Sequence, residues 1–263
     1  MKAAAISLLD RLRYRSHSGR LIRQHRALRR LDFVIASWLH PVLLPLLFTV
    51  GYFALIGRVT GIWASTMTFW ADKMQWPATF LSETKWLEGY PVFTICYPQI
   101  PGHLPNGLTL ITAILIVLGV MAASFLLLRR RHLPLAYLCW ALCLIQATAI
   151  IYFYYFAAGF PHSIASHVRS GLTMNCALVF LIPWILAPTF YPFAFPIADK
   201  LWITLLMELN IVVFTPLQYL AHAWAAQQFS LLVLPLLFTI FGLLLNIVQF
   251  VSIYAWAMSR EPA

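Results

Sequence analysis

LWITLLMELNIVVFTPLQYLAHAW, residues 201–224, combines the length and apolarity of a membrane-spanning helix with a set of polar side chains. At about 100° per residue, these side chains fall within roughly 80° of one another around a helix. They are Thr204, Glu208, Thr215, Gln218 and His222. Because a carboxylate in hydrocarbon is costly, the stripe is expected to face other helices or a water-filled cavity. The pattern therefore predicts a helix in the interior of a membrane protein.

The composition of the whole chain also places it in a membrane. Of its 263 residues, 62% are hydrophobic and 10% are charged, against about 25% charged in soluble domains. Apolar stretches take up most of the length, so no separate soluble domain is expected. We predict an all-α polytopic membrane protein with a transmembrane domain over residues 33–263.

Six stretches are predicted to cross the membrane as helices. They are residues 33–57, 108–128, 133–157, 171–187, 201–224 and 229–258. If both termini are cytoplasmic, all Lys and Arg residues except Arg58, Lys73, Lys85 and Arg169 fall on the cytoplasmic side, as the positive-inside rule requires. Prolines recur after the fourth stretch and predict a kinked interfacial or re-entrant piece there. The expected location is a bacterial inner membrane.

Residues 1–32 form a basic arm before the first span, in which nine Lys and Arg residues face a single acid, Asp10. The arginines are Arg11, Arg13, Arg15, Arg20, Arg23, Arg26, Arg29 and Arg30. Leucines and isoleucines alternate with them, as in an amphipathic helix that lies in the membrane interface. Because basic residues beside a span gain from anionic headgroups, anionic lipid is the expected partner of the arm, and nucleic acid is not.

Residues 58–106 are predicted to form a long loop on the outer side. The loop is rich in tryptophan and tyrosine, which favour the headgroup level of a bilayer. It is expected to hold one or two short helices on the outer interface, followed by an extended proline-rich return. Long loops in compact proteins are often functional, so two interpretations stay open: a binding element or an interfacial collar.

Polar residues of different spans can be matched by depth at about 1.5 Å per residue. Glu208 and Gln249 are predicted to share one layer, and Gln146 is predicted to lie level with Asn246. These side chains either join helices by hydrogen bonds or form a polar path. In the second interpretation Glu208 binds a proton or a cation, and the rest of the stripe extends the path outward.

A second group of chemically active side chains is predicted to gather at the outer face. It consists of His162, His167, Arg169, Cys176 and His222. Cysteine with histidine can support nucleophilic catalysis, imidazoles can bind a metal, and histidines also occur at membrane interfaces for their polarity alone. His162 and His167 are five residues apart and match no standard metal-ligand spacing. No metal and no cofactor are therefore predicted.

The segment LRYRSHSGRLIRQHRALRRLDFVIASWLHPVLLPLLF, residues 12–48, resembles the start of the membrane subunits of ABC-type polysaccharide exporters. The resemblance consists of a basic amphipathic arm that leads into a first span. It implies a six-span subunit that works with other chains. The long outer loop and the proline-rich run depart from that family's plan, so no residue's role is carried over.

Three classes of function are consistent with these features. The first is a non-catalytic subunit of a transport, translocation or envelope-assembly complex, with other membrane proteins as partners. The second is a secondary transporter that uses Glu208, which the lack of an internal repeat makes less favoured. The third is a membrane-embedded enzyme whose site is the outer cluster of Cys, His and Arg residues. The sequence favours the first class.

Overall fold

A computed structural model describes residues 39–87, 90–128, 133–190 and 196–259 of the chain. The predicted amphipathic arm, the basic residues 129–132 and residues 191–195, which belong to the predicted kinked or re-entrant piece, lie outside the described residues. The described part is mostly helical, and it also contains one two-stranded sheet. The helical class predicted from the composition is therefore confirmed.

Six helices, α1 to α6, make up most of the described chain. Their bounds are Leu39–Lys73 (α1), Gly107–Ala123 (α2), Leu133–Phe156 (α3), Ile164–Phe190 (α4), Ile197–Phe229 (α5) and Leu231–Ser259 (α6). By length and composition, α1, α2, α3, α4 and α6 are able to cross a membrane, and α5 is not among these five. The fold is that of a multi-pass membrane protein, and the sixth crossing stays a prediction that rests on α5.

Helix α1 is longer than the first predicted span. The sequence predicts an end near Gly57, but the helix continues through Arg58 to Lys73. At about 1.5 Å per residue, a helix of this length is some 50 Å long, whereas the hydrocarbon core of a bilayer is about 30 Å thick. A segment of α1 therefore extends beyond the hydrocarbon unless the helix is steeply tilted.

The segment after α1 forms a β-hairpin in place of the predicted short interfacial helices. Strand β1 (Thr79–Leu87) pairs antiparallel with β2 (Tyr90–Gln99), with Thr84 opposite Thr94. The prediction was wrong because it took the aromatic residues as signs of interfacial helices. Threonine and aromatic residues are also the residue types enriched in strands.

The hairpin is held against the helices through β2, which packs on α1 and α4. Ile95 in β2 is 1% exposed and belongs to the main hydrophobic core. Arg169 of α4 adds a polar contact, because its guanidinium lies 3.1 Å from the carboxylate of Glu83 in β1. A two-stranded hairpin alone is marginally stable in water, so this packing is what keeps it in place.

Helix α4 begins earlier than predicted. The sequence places a turn over residues 158–170, but the helix starts at Ile164. The start is capped reciprocally: the backbone N–H of Ser166 donates to the hydroxyl of Ser163 at 3.1 Å, and the N–H of Ser163 donates to the hydroxyl of Ser166 at 2.9 Å. This arrangement satisfies N–H groups of the first turn as a capping box does. It brings His167 and Arg169 into the helix.

Helix α6 is not a uniform α-helix. It begins with a 3-10 turn at Leu231–Val233, becomes π-helical over Leu237–Leu244 and continues as α-helix over Leu245–Ser259. At the end of the π-helical part, the N–H of Leu245 bonds the carbonyls of Ile240 and Gly242. In an α-helix this N–H would bond the carbonyl of Phe241. That carbonyl is therefore available to another donor.

Helices α4 and α5 lie at the centre of the fold, with α1 and α6 beside them. Residues of the main core, such as Trp63, Ile164 and Leu172, are almost completely buried. Helix α2 has no buried residue, and large apolar side chains such as Leu115 and Leu118 are more than half exposed. An exposed apolar helix of this kind belongs in lipid, so α2 lies at the periphery of the fold.

Candidate functional site

Two histidines meet in the interior, near the ends of α4 and α5 that adjoin the hairpin. His167 and His222 are both buried, and Nε2 of His167 lies 3.2 Å from Nδ1 of His222. One of these nitrogens donates and the other accepts, so the two rings share one hydrogen in a hydrogen bond. The ring of Tyr219 lies beside both, 5.9 Å from His167 and 5.2 Å from His222 between centroids.

Tyr219 reaches this position because Gly171 of α4 leaves room for it. A Cβ atom added at Gly171 would lie 2.0 Å from the ring of Tyr219. On the other side, a Cβ added at Gly242 of α6 would lie 3.9 Å from the hydroxyl of Tyr219. Glycine is the residue that allows such a close approach. Tyr219 of α5 therefore fills the space between α4 and α6.

The π-helical part of α6 supplies the next polar contact. The side-chain amide of Gln218 donates to the carbonyl of Phe241, which is the carbonyl that the N–H of Leu245 bypasses. Polar side chains in membrane proteins commonly satisfy backbone groups that an irregular helix has freed. The irregularity of α6 and the polar residue on α5 therefore belong to one contact.

Two amide pairs continue the polar interior further from the hairpin. Nδ2 of Asn246 donates to Oδ1 of Asn175 at 2.8 Å, and Nδ2 of Asn210 donates to Oε1 of Gln249 at 3.0 Å. Gln249 is thus paired with Asn210 and not with Glu208, contrary to the predicted layer. The predicted depth was nearly right, because Asn210 is two residues from Glu208. The predicted direction was wrong, because side chains spread over an arc of about 80° can face two different neighbouring helices.

Gln146 is not level with Asn246, contrary to the prediction. Its amide nitrogen lies 3.4 Å from the carbonyl of Leu232, at the start of α6. Three buried side-chain atoms of the described residues lack a hydrogen-bond partner: Oε1 of Gln146, Nδ2 of Asn175 and Oε1 of Gln218. An unsatisfied buried polar group costs about 1–3 kcal/mol. These are the interior positions at which a water molecule or a ligand group would be stabilised.

The two threonines of the stripe are buried as predicted. Thr204 is 0% exposed, and its hydroxyl donates to the carbonyl of Lys200 at 2.8 Å. Thr215 is 2% exposed. Both lie in the interior of the bundle.

Glu208 lies in a different environment from the rest of the stripe. It lines a groove of about 460 Å³ between α1 and α5, with Val179 of α4 in its lining. Leu47, Leu55 and Val59 are among the apolar residues of the wall. Within the described ranges, Glu208 has no hydrogen bond and no ion pair. Lys200, eight residues earlier on the same helix, is buried but forms no ion pair with Glu208.

At one end of this groove, α1 and α5 are joined by a hydrogen bond. Pro216 has no N–H, so the carbonyl of Val212, four residues earlier, loses its helical partner. The indole N–H of Trp63 in α1 donates to this carbonyl at 2.8 Å. Trp63 is 1% exposed, so the bond lies in a dry environment. It fixes α1 against α5 beside the groove.

A second cavity, of about 510 Å³, lies between α4 and α6 beside the histidine pair. Its polar lining comes from the imidazoles of His162 and His167 and the hydroxyls of Ser166, Ser170 and Thr239. Aromatic and aliphatic side chains form the rest of the wall. Such a mixture suits a small ligand that is partly apolar and forms hydrogen bonds.

The predicted outer cluster is only partly brought together. His162, His167 and His222 lie near one another, whereas Arg169 bonds Glu83 of the hairpin. Cys176 is 0% exposed, belongs to the hydrophobic core and lines neither cavity. A nucleophile must reach its substrate, and this thiol is enclosed by apolar side chains.

The electrostatics of the hairpin follow from its ion pairs. The ammonium group of Lys85 lies 2.6 Å from the Glu83 carboxylate, and Arg169 contacts its other oxygen. The hydrogen bond from Lys85, with a further contribution from Arg169, lowers the pKa of Glu83. Burial raises the pKa of the Cys96 thiol in β2, so this cysteine is a weak nucleophile at neutral pH.

No group of three or more His, Cys, Asp or Glu residues in the described part of the chain is arranged to hold a metal ion. Several residues that matter in the interior were missed from the sequence. Asn175 and Asn210 lie off the predicted stripe, and Trp63 was placed in an outer loop. Pro216 could have indicated that α5 needs a hydrogen-bond donor from another helix, because a proline within a span frees the carbonyl four residues earlier. Trp63 is that donor.

Comparison of the chain with protein-family models, with curated proteins and with solved structures finds no match. The fold itself defines the class: a mostly helical, multi-pass membrane protein with a polar interior and a β-hairpin packed against the helices.

Proposed function

We propose that this protein is a non-catalytic integral membrane subunit of a transport, translocation or envelope-assembly complex. It crosses a bacterial inner membrane six times, with α5 as the fifth crossing and both termini in the cytoplasm. Its basic arm binds anionic lipid on the cytoplasmic side.

The observation that carries this proposal is the pairing of the interior polar groups. His167 with His222, Asn175 with Asn246, and Asn210 with Gln249 each join two helices directly. Interhelical hydrogen bonds of this kind stabilise membrane bundles. A path for a solute needs polar groups that are free to bind it, whereas these groups bind one another. The stripe on α5 thus acts mainly in packing.

The hairpin supports the proposed orientation. The outer edge of β1 has unpaired backbone groups in the described structure, since the sheet has two strands. An open sheet edge is not stable in hydrocarbon, so the hairpin belongs on an aqueous side. The positive-inside rule assigns that side to the exterior, where the hairpin is available to partner proteins.

Purification in a mild detergent tests the subunit proposal. The tagged protein should co-purify with a fixed set of partner chains at one stoichiometry, from cells that express it at its native level. An equally abundant, equally tagged six-span protein is the control for nonspecific association. A monodisperse monomer that complements a deletion strain without partners would contradict the proposal.

A second candidate, a secondary transporter, is favoured by one observation. Glu208 is the one carboxyl group among the described lining residues of the groove, which is apolar apart from it and the hydroxyl of Tyr52, and it has no partner among the described residues. Glu208→Gln keeps the shape of the side chain and removes its charge, so a transporter should lose function while the protein accumulates normally. Glu83→Gln, which removes a carboxylate in the hairpin, is the matched control. Full function of Glu208→Gln would eliminate this candidate.

A further inference from the structure

The groove between α1 and α5 is large enough to bind one small molecule. Its α1 wall runs from Leu47 to Val59, a distance of about 18 Å at 1.5 Å per residue. Its volume of about 460 Å³ lies within the usual range of about 300–1,000 Å³ for small-molecule pockets. Gly51 widens it, because a Cβ added there would meet nothing within 4 Å.

The lining of the groove restricts the chemistry of its occupant. Among the described lining residues, the carboxyl of Glu208 and the hydroxyl of Tyr52 are the polar side-chain groups, and there is no basic residue. An apolar site has a low dielectric constant, so it screens charges weakly. A carboxylate in such a site therefore attracts a positive charge strongly. The occupant should therefore carry one positive charge within a mostly apolar body.

A divalent metal cation does not fit these features. Calcium takes about six to eight oxygen ligands, and magnesium takes six and retains much of its hydration shell, whereas this groove offers one carboxyl and one phenol. An anionic lipid headgroup would be repelled by the carboxylate. An organic cation with a delocalised or shielded charge loses little hydration on entering hydrocarbon, so it can reach the groove from the bilayer.

We propose that the groove between α1 and α5 is a binding site for lipophilic organic monocations, with Glu208 as the counter-ion. This inference deepens the transporter candidate and rests on the same Glu208 site. The proposal requires only that the cation binds in the groove. If the protein binds such cations but does not move them across the membrane, the binding site stands and the transporter candidate is eliminated.

A proton competes with the cation for the same carboxylate, so binding should weaken as the pH falls. The titratable groups that line the groove in the described structure are Glu208 on α5 and Tyr52 on α1, and Val179 of α4 is apolar. The phenol of a tyrosine ordinarily ionises at about pH 10 and is neutral below it. The competition between pH 5 and 9 therefore reports on Glu208.

The test uses two ions of the same shape and opposite charge. Tetraphenylphosphonium and tetraphenylborate are titrated against the full-length protein in nanodiscs of phosphatidylcholine, by equilibrium dialysis with empty nanodiscs subtracted. The cation should bind at least about tenfold more tightly than the anion, a difference of about 1.4 kcal/mol in binding free energy. Equal binding of the two ions would overturn the proposal.

Two variants separate the charge from the cavity. Glu208→Gln should remove the preference for the cation, and Gly51→Leu should reduce cation binding by filling the groove. Gly119→Leu in the exposed helix α2, where a Cβ also meets nothing within 4 Å, is the matched control and should bind as the unaltered protein does. Thermal unfolding of each variant shows whether it is folded. A cation preference that survives in folded Glu208→Gln would also overturn the proposal.

Discussion

Helix α5 has two faces that use polar residues in opposite ways. Toward α4 and α6, His222, Gln218 and Asn210 each have a partner on the neighbouring helix. Toward α1, Glu208 lines an apolar groove without a partner among the described residues. Paired groups hold helices together, whereas an unpaired carboxyl can take up a charged ligand. The difference shows that one polar stripe combines a structural part with a part that is available for function.

The strongest way to break the paired face is to fill the space that Tyr219 occupies. Gly171→Ala places a methyl group where the ring already lies, 2.0 Å away. Overpacking of this kind costs about 1–3 kcal/mol, and sometimes more. We expect a large fall in the thermal unfolding temperature in detergent. Gly119→Ala, in open space on α2, should leave it nearly unchanged, and equal stability of the two variants would show that Tyr219 does not lock the helices.

The amide pair between α4 and α6 gives the next largest effect. Asn175→Leu or Asn246→Leu leaves one amide without its partner, at an expected cost of about 1–2 kcal/mol. The double variant removes both amides and should recover much of the loss, since replacing both partners by apolar groups can be nearly neutral. Equilibrium unfolding of the four proteins measures the coupling. Additive effects would mean that the two residues do not act as a pair.

The hydrogen bond from Trp63 to Val212, at one end of the groove, should contribute about 1 kcal/mol. Trp63→Phe keeps the aromatic packing but removes the N–H that the Val212 carbonyl accepts. Pro216→Ala restores an N–H to α5, so Trp63→Phe should cost less in that background. A double-mutant cycle by thermal unfolding compares the two backgrounds. If Trp63→Phe lowers the stability equally in both backgrounds, the freed carbonyl of Val212 is not what Trp63 stabilises.

The smallest effect is expected at the hairpin, which lies apart from both faces of α5. The pKa of Glu83 is lowered by Lys85 and Arg169, so its stabilising contribution is complete above the ordinary glutamate pKa and is lost as the pH falls through the lowered value. Exposed ion pairs contribute about 0–1 kcal/mol. The protection factors of the β1 amides, which compare the exchange rate with that of an unfolded chain at the same pH, should therefore fall at acid pH, and less so in Glu83→Gln. Asp72→Asn, at an exposed acid of α1, is the control and should retain the full response.

Three features could be predicted from the sequence: the membrane class, the proximity of three of the histidines, and the burial of four polar residues of α5. Those four residues are Thr204, Thr215, Gln218 and His222. These features depend on composition and on the helical repeat, which act along one chain segment. The hairpin was missed because an aromatic segment suits either a strand or an interfacial helix until its neighbours are known. The earlier start of α4 depended on two serines that cap each other.

What the sequence alone determined is that α5 carries a polar stripe with a carboxylate in it, because the spacing of residues fixes their angle around a helix. Only the tertiary structure decided which neighbour each residue meets. Glu208 and Gln218 lie about 80° apart on α5, which is enough for one to face α1 and the other α6. The direction in which the helices pack around α5 separates the paired residues from Glu208, and that direction depends on contacts between segments far apart in the chain.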